Sequence, residues 1–263
     1  MVAELLRRLR TEPPLVHCIT NYVGMDLSAN ALLAVGASPA MVHAREEAAE
    51  FAGLASALLV NIGTPSPPWV EAMHAAAAAA RDHGRPVVLD PVAAGATAYR
   101  REVSRELLDQ GVDIVRGNAS EIRALTGAYG GGRGVDSTDP VEAALEPARE
   151  LARASGAVVA ATGARDLVTD GARVVEVRGG HELMTRVTAL GCALSGLVAA
   201  FAAIADDRFD GVVAALAIMK AAGLRAGNAA GPASFRTQLL DALYRLEPRA
   251  VETMGLVVER SSP

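Results

Sequence analysis

The chain has 263 residues, 51% hydrophobic and only 3% aromatic, so its core must be built from Ala, Val and Leu. A formal net charge of −5 with no basic block argues against nucleic acid as the main partner. Two cysteines, Cys18 and Cys192, cannot make a disulfide framework and point to a reducing compartment. Residues 1–10 read as an amphipathic helix of mixed charge, not as a signal peptide. The apolar run 190–204 is too short to span a bilayer and ends in Asp206-Asp207. The expectation is a soluble, cytoplasmic protein. Lys220 is the sole lysine, and no Gly-x-x-x-x-Gly-Lys-Ser/Thr loop occurs. Phosphate, if handled, must meet Arg, a divalent metal and helix N-termini.

In chain order, 15–19 (Leu-Val-His-Cys-Ile) predicts the first strand, after Pro13-Pro14. A helix over 23–35 ends at Gly36, and a short strand over 38–42 carries Met41. Residues 46–55 read as helix, 57–62 as the third strand, and 68–81 as an alanine-rich helix. A fourth strand over 86–89 ends in Asp90-Pro91-Val92-Ala93-Ala94-Gly95. A fifth over 112–115 ends in Arg116-Gly117-Asn118-Ala119-Ser120-Glu121, and a sixth over 157–161 ends in Thr162-Gly163. Runs 166–169 and 174–177 flank Asp170-Gly171 and predict a hairpin. Residues 190–246 read as almost wholly helical, and 127–139 as a loop. Short apolar strands alternating with helices predict one α/β domain over 1–263, its mostly parallel sheet covered on both faces.

Ligands in such folds bind beyond the carboxyl ends of the strands. Asn21, Met41, Asp90, Arg116, Asn118, Glu121 and Thr162 all follow or end predicted strands. Ala189-Leu190-Gly191 runs into a helix beginning near Cys192. Free N–H groups there, with the helix dipole, make a seat for an anion and would favour a thiolate. Small-residue packing at a buried helix entrance explains the same stretch. Asp90 could hold metal-bound water, and a carboxylate pair with Glu121 suits hydrated Mg²⁺. Equally, Asp90 could cap a turn, with Asn118 or Ser120 N-capping a helix whose first turn holds Glu121. Arg116, at the end of a buried strand, needs an anionic partner. His17, inside an apolar strand, reads as a core histidine.

His17-Cys18-Ile19-Thr20-Asn21-Tyr22-Val23, with Ala37-Ser38-Pro39-Ala40-Met41, closely resembles the hydroxyethylthiazole kinase family of the ribokinase-like superfamily. So do Leu89-Asp90-Pro91-Val92, Arg116-Gly117-Asn118-Ala119-Ser120-Glu121-Ile122, Gly134-Val135-Asp136-Ser137, Thr162-Gly163, Gly191-Cys192-Ala193-Leu194-Ser195 and Gly231-Pro232-Ala233-Ser234-Phe235. The matches are collinear over nearly the whole chain. The resemblance implies a three-layer α/β/α sandwich without a separate lid domain, and phosphorylation of 4-methyl-5-(2-hydroxyethyl)thiazole by Mg-ATP in thiamin salvage. It implies that Cys192 takes the catalytic position near the substrate hydroxyl. The anion hole would be Ala189, Leu190, Gly191 and Cys192. Asn21, Val23, Met41 and Ala189 would line the thiazole pocket, and Arg116, Asn118 and Thr162 would contact ATP. Asp90 and Glu121 would serve hydrated magnesium. A homotrimer with sites between subunits is also implied.

Three residues depart from the family pattern. Ala189 stands for a glycine, Leu190 for a threonine, and Ala93 for the glycine usual after Asp-Pro-Val. Leu190 is expected to add bulk beside the anion seat and remove a hydroxyl donor. Two other readings therefore stay open. One is a kinase of the same fold for another small heterocyclic alcohol; the other is a catalytically weak thiazole- or nucleotide-binding protein.

Overall fold

The computed structural model describes residues 1–127 and 141–259. Helix α1 (Val2–Thr11) leads into β1 (Leu15–Ile19). Next come α2 (Met25–Val35), β2 (Ser38–Ala40), α3 (Ala48–Leu54), β3 (Ala57–Asn61) and α4 (Pro67–Asp82). The middle runs through β4 (Val87–Asp90), α5 (Ala98–Asp109), β5 (Ile114–Asn118), α6 (Ala119–Leu125), α7 (Leu145–Ser155) and β6 (Val158–Thr162). Strands β7 (Asp166–Thr169) and β8 (Val174–Val177) follow, then α8 (Leu190–Ile204) and α9 (Arg208–Arg225). The last described elements are α10 (Pro232–Arg245), α11 (Pro248–Thr253) and β9 (Val257–Glu259).

The described strands form one sheet in the order β2-β1-β3-β4-β5-β6-β7-β8-β9. The pairs from β2 to β6 are parallel, and those from β6 to β9 antiparallel. Period-2 pleating divides each central strand between two cores. In β3, Ala57 and Leu59 join α1, α2, α8, α9 and α10 on one face, while Leu58 and Val60 join α3 to α7 on the other. Burial on both faces is why these strands read as unbroken apolar runs. Alanine-rich α8 and α9 lie almost wholly within the core.

The sequence places most elements within a few residues, and the shifts have local causes. Helix α2 starts at Met25 rather than 23 because Asn21 Oδ1 accepts from Gly24 N at 2.8 Å, folding 21–24 into a turn. Strand β2 stops at Ala40, and Val42 O turns to His17 Nε2 at 2.7 Å. Strand β5 runs on through Arg116-Gly117-Asn118 because its parallel ladder with β6 continues to Asn118 opposite Thr162. Helix α11 and β9 have no counterpart in the sequence reading. The expected loop over 127–139, with the motif Gly134-Val135-Asp136-Ser137, lies outside the described residues apart from Gly127.

Candidate active site

The carboxyl ends of β1, β3, β4, β5 and β6 face the start of α8. A buried chain of hydrogen bonds crosses that junction. Asn21, just after β1, donates from Nδ2 to Cys192 Sγ at 3.2 Å and to Asn61 Oδ1 at 2.8 Å. Asn61 lies opposite Asp90 in the β3–β4 ladder and donates to Asp90 Oδ2 at 2.6 Å. Ser195, one turn beyond Cys192 on α8, donates to the same oxygen at 2.8 Å. The packing leaves no spare room: a Cβ on Gly63 would fall 2.5 Å from Asn21 Nδ2.

This environment sets the charges. Asp90 is 1% exposed; burial pushes its carboxyl up from the ordinary range, against Arg116, Ser195 and Asn61. Burial and the Asp90 charge push the Cys192 thiol up to about 11. The helix start therefore does not make it a thiolate at neutral pH, contrary to the sequence expectation.

Arg116 reaches from β5 across to α8. Its Nη1 lies 3.8 Å from Asp90 Oδ2, and its Nη2 donates to Thr162 Oγ1 at 2.5 Å. Thr162 Oγ1 in turn donates to Gly117 O at 3.2 Å. Arg116 Nε is buried and has no hydrogen-bond acceptor among the described residues. The anionic partner demanded by the sequence is thus Asp90, at a distance that leaves the guanidinium under-satisfied.

Asn118 and Glu121 form a reciprocal cap on α6. Asn118 Oδ1 accepts from Glu121 N at 2.9 Å, and Glu121 Oε2 accepts from Asn118 N at 2.8 Å. Glu121 Oε1 accepts from Ala93 N at 2.9 Å, which ties this cap to the turn after β4. Burial first, and the Asp90 charge second, push the Glu121 carboxyl up to about 7.

Ala93 and Ala189 have φ of 55° and 62°, the only positive values for non-glycine residues among those described. Both adopt the left-handed conformation that glycine takes most readily. Ala189 immediately precedes α8, and no side chain caps that helix start. Its first N–H groups are therefore free of an intrahelical or side-chain acceptor. Leu190 is 6% exposed and belongs to the apolar core around α8.

Val23 and Met41 do not join the polar network. Val23 is 57% exposed beyond Asn21, and Met41 is half-buried against the α8 side of the core. His17 is the core histidine expected, bonded to Val42 O and edge-on to Phe51. The sequence reading missed Asn61, Arg100 and the role of Ser195. Asn61 carried the available signal, a polar residue ending an apolar strand. Arg100 donates to Ile62 O, Gly63 O and Val92 O at 2.8–2.9 Å, joining the loops after β3 and β4.

No group of three His, Cys, Asp or Glu gathers among the described residues, so no cage of protein ligands exists there. Asp90 Oδ1, however, is buried and accepts no hydrogen bond. One such oxygen, with Glu121 nearby, fits Mg²⁺ that keeps most of its waters.

The family model for the hydroxyethylthiazole kinase family matches residues 6–249. A relative from Rhizobium etli (strain CIAT 652), named hydroxyethylthiazole kinase, is 58% identical over 255 residues, spanning 96% of this chain and 99% of its own. A solved structure of hydroxyethylthiazole kinase from Pyrococcus horikoshii OT3 aligns with a TM-score of 0.91 at 43% identity, covering 99% of each chain. Pyridoxal kinase from Staphylococcus aureus, in complex with ADP, aligns with a TM-score of 0.61 at 14% identity over 81% of this chain and 88% of its own. That distant likeness speaks for the fold alone, the ribokinase-like α/β/α sandwich. With the model match and the close relatives in agreement, the chain belongs to the hydroxyethylthiazole kinase family.

Proposed function

We propose that this chain transfers a phosphoryl group from ATP to the primary alcohol of 4-methyl-5-(2-hydroxyethyl)thiazole, in thiamin salvage. Family membership supports the reaction. The observation that carries the site is the meeting of Arg116 with the uncapped start of α8: a guanidinium and free helix N–H groups share one place.

Phosphoryl transfer asks a protein mainly for alignment and for charge on the phosphoryl oxygens. In this reading Arg116, Thr162 and Asn118 hold the ATP phosphates. The backbone of Ala189, Leu190, Gly191 and Cys192 receives the group in transit. Asn21, Val23, Met41 and Ala189 line the alcohol's pocket, and Cys192 stands beside its hydroxyl. A thiol raised to about 11 is neutral at pH 7, so it orients the hydroxyl and does not take its proton. Asp90 and Glu121 would hold hydrated Mg²⁺, which supplies charge neutralisation on the phosphates.

The reading takes residues 1–263 as one catalytic domain acting in the cytoplasm as a homotrimer, with sites between subunits. Exposed Tyr22 and Val23 beside Asn21 support a partner's approach there. No described helix is long and apolar enough to cross a membrane. The packing of Leu190 in the apolar core supports the thiazole alcohol over a different substrate. An ATP-consumption assay over a panel of small alcohols tests this. Hydroxyethylthiazole should give the highest kcat/KM; a preference for another alcohol, or no turnover with any, overturns it.

A further inference from the structure

The sole lysine of the chain is buried. Lys220, on α9, is 6% exposed, and its Nζ donates to Gly163 O at 2.7 Å and Ala164 O at 3.1 Å. It also lies 3.1 Å from Asp166 Oδ1, which accepts from Gly163 N at 2.9 Å. An ammonium has three N–H groups, and three oxygens converge on this one. None is left for a ligand. The three oxygens belong to one tight turn segment, 162–166, running from the last residue of β6 to the first of β7. Gly163, Ala164 and Arg165 are exposed in that turn, yet two of its carbonyls face inward to the cation. Its first residue is Thr162, the partner of Arg116.

The lysine is itself held in place. Its carbonyl accepts from Gly180 N at 3.2 Å, and a Cβ on Gly180 would stand 3.0 Å from Lys220 Cδ. Burial pushes the Asp166 carboxyl up, and Lys220 is the largest influence opposing that. Without the ammonium, two carbonyls and a buried carboxylate would face one another with nothing between them. The connection 163–165 would loosen at the very end of β6, where only the last ladder pair and the Gly117 bond would still hold Thr162 against Arg116.

We propose that Lys220 is a positioning residue for ATP, clamping the 162–166 turn so that Thr162 and Arg116 face the phosphates together. This rests on the nucleotide site proposed above.

Steady-state kinetics of the full-length Lys220→Ala variant test it, varying ATP and the thiazole alcohol separately. KM for ATP should rise about tenfold or more, with KM for the alcohol within about twofold. Propylammonium has the three carbons and the ammonium that the substitution removes, so it should recover much of the loss. Tetramethylammonium, equally charged but without N–H groups, should not. Equal changes in both KM values, unchanged KM values, or equal rescue by both cations would overturn the clamp. If Lys220→Ala does not fold, Lys220→Met with Asp166→Asn removes both buried charges. It should keep a raised KM for ATP, and a wild-type value there overturns the proposal. Thr162→Val runs alongside as control. If it raises KM for ATP and Lys220→Ala does not, only the clamp fails. If neither does, the nucleotide lies elsewhere and both readings fall.

Discussion

The Arg116 guanidinium lies directly over Gly191: a Cβ on that glycine would stand 2.7 Å from Nη1. A strand-borne cation thus rests on the first turn of a helix whose dipole is positive at the same end. Two positive features held together by the fold have a use once an anion lies between them. Gly191→Ala should displace the guanidinium, and Arg116→Ala should remove it. Lys220 cannot substitute, since its donors are occupied. Both variants should raise KM for ATP by about tenfold or more. Wild-type ATP kinetics in both would remove the phosphates from this corner.

Asn61 joins the two halves of the polar chain, taking Asn21 on one side and serving Asp90 on the other. Asn61→Ala leaves a buried amide and a buried carboxylate each short of a partner, at a cost of about 1–3 kcal/mol. Denaturant unfolding should show that loss, and kcat should fall more than KM changes. A variant with full stability and full kcat would show that the chain is incidental.

Glu121 makes a prediction with a sign. Its acid is pushed from 4.5 to about 7 in the folded protein. Between those values the unfolded chain has released this proton while the folded one retains it. The contribution is therefore fully present below 4.5 and lost as pH rises toward 7. Glu121→Gln abolishes that titration but surrenders one of the two backbone bonds, to Ala93 N or Asn118 N. Its stability deficit against wild type should be largest near pH 5 and smallest near pH 8, in thermal unfolding followed across pH. A deficit independent of pH would mean the carboxyl titrates normally. The same variant should need more Mg²⁺ for half-maximal activity.

Much of this was legible in the sequence, for identifiable reasons. Strands buried on both faces announce themselves as short apolar runs, and polar residues that end them stand out. Asn21, Asp90, Arg116 and Thr162 were visible in that way. Asn61 obeyed the same pattern but belonged to no motif that singled it out. The Lys220 clamp was invisible, because it joins residues 57 and 56 positions apart across the packed face of the sheet. Leu190 follows Ala189 directly in the chain, yet its side chain packs in the core around α8, which no neighbouring residue announces. Chain order near a helix start tells where the backbone is, not which way a side chain points.

Cys192 should prove helpful but dispensable. Its thiol stays neutral because burial and Asp90 oppose the thiolate. Cys192→Ala should lower kcat without abolishing it, and the pH profile between 6 and 9 should keep its shape, as no thiol titrates there. Cys192→Asp should retain or increase activity by placing a carboxylate beside the hydroxyl. An inactive but folded Asp variant would count against that position.

The last prediction separates two adjacent residues at the start of α8, Ala189 and Leu190. Ala189 already holds φ of 62°, at a cost of about 1–2 kcal/mol for a residue with a Cβ. Ala189→Gly relieves that strain but loosens the unfolded chain by about 0.4–1 kcal/mol. The net effect should be a stabilisation between about 0 and 1.6 kcal/mol. Because alanine already forms the turn, kcat should stay within about threefold. Leu190→Thr should behave oppositely. Its side chain is buried in the core, so the change removes packed carbon and buries a hydroxyl there, costing about 2 kcal/mol or more. The new hydroxyl would lie in that core, away from the phosphoryl seat, and kcat should not rise. The sites adjoin, so the double variant need not equal the sum of the singles. A kcat gain of about tenfold in Leu190→Thr alone is the opposite result: it would place residue 190 at the anion, where a hydroxyl donor strengthens transition-state binding.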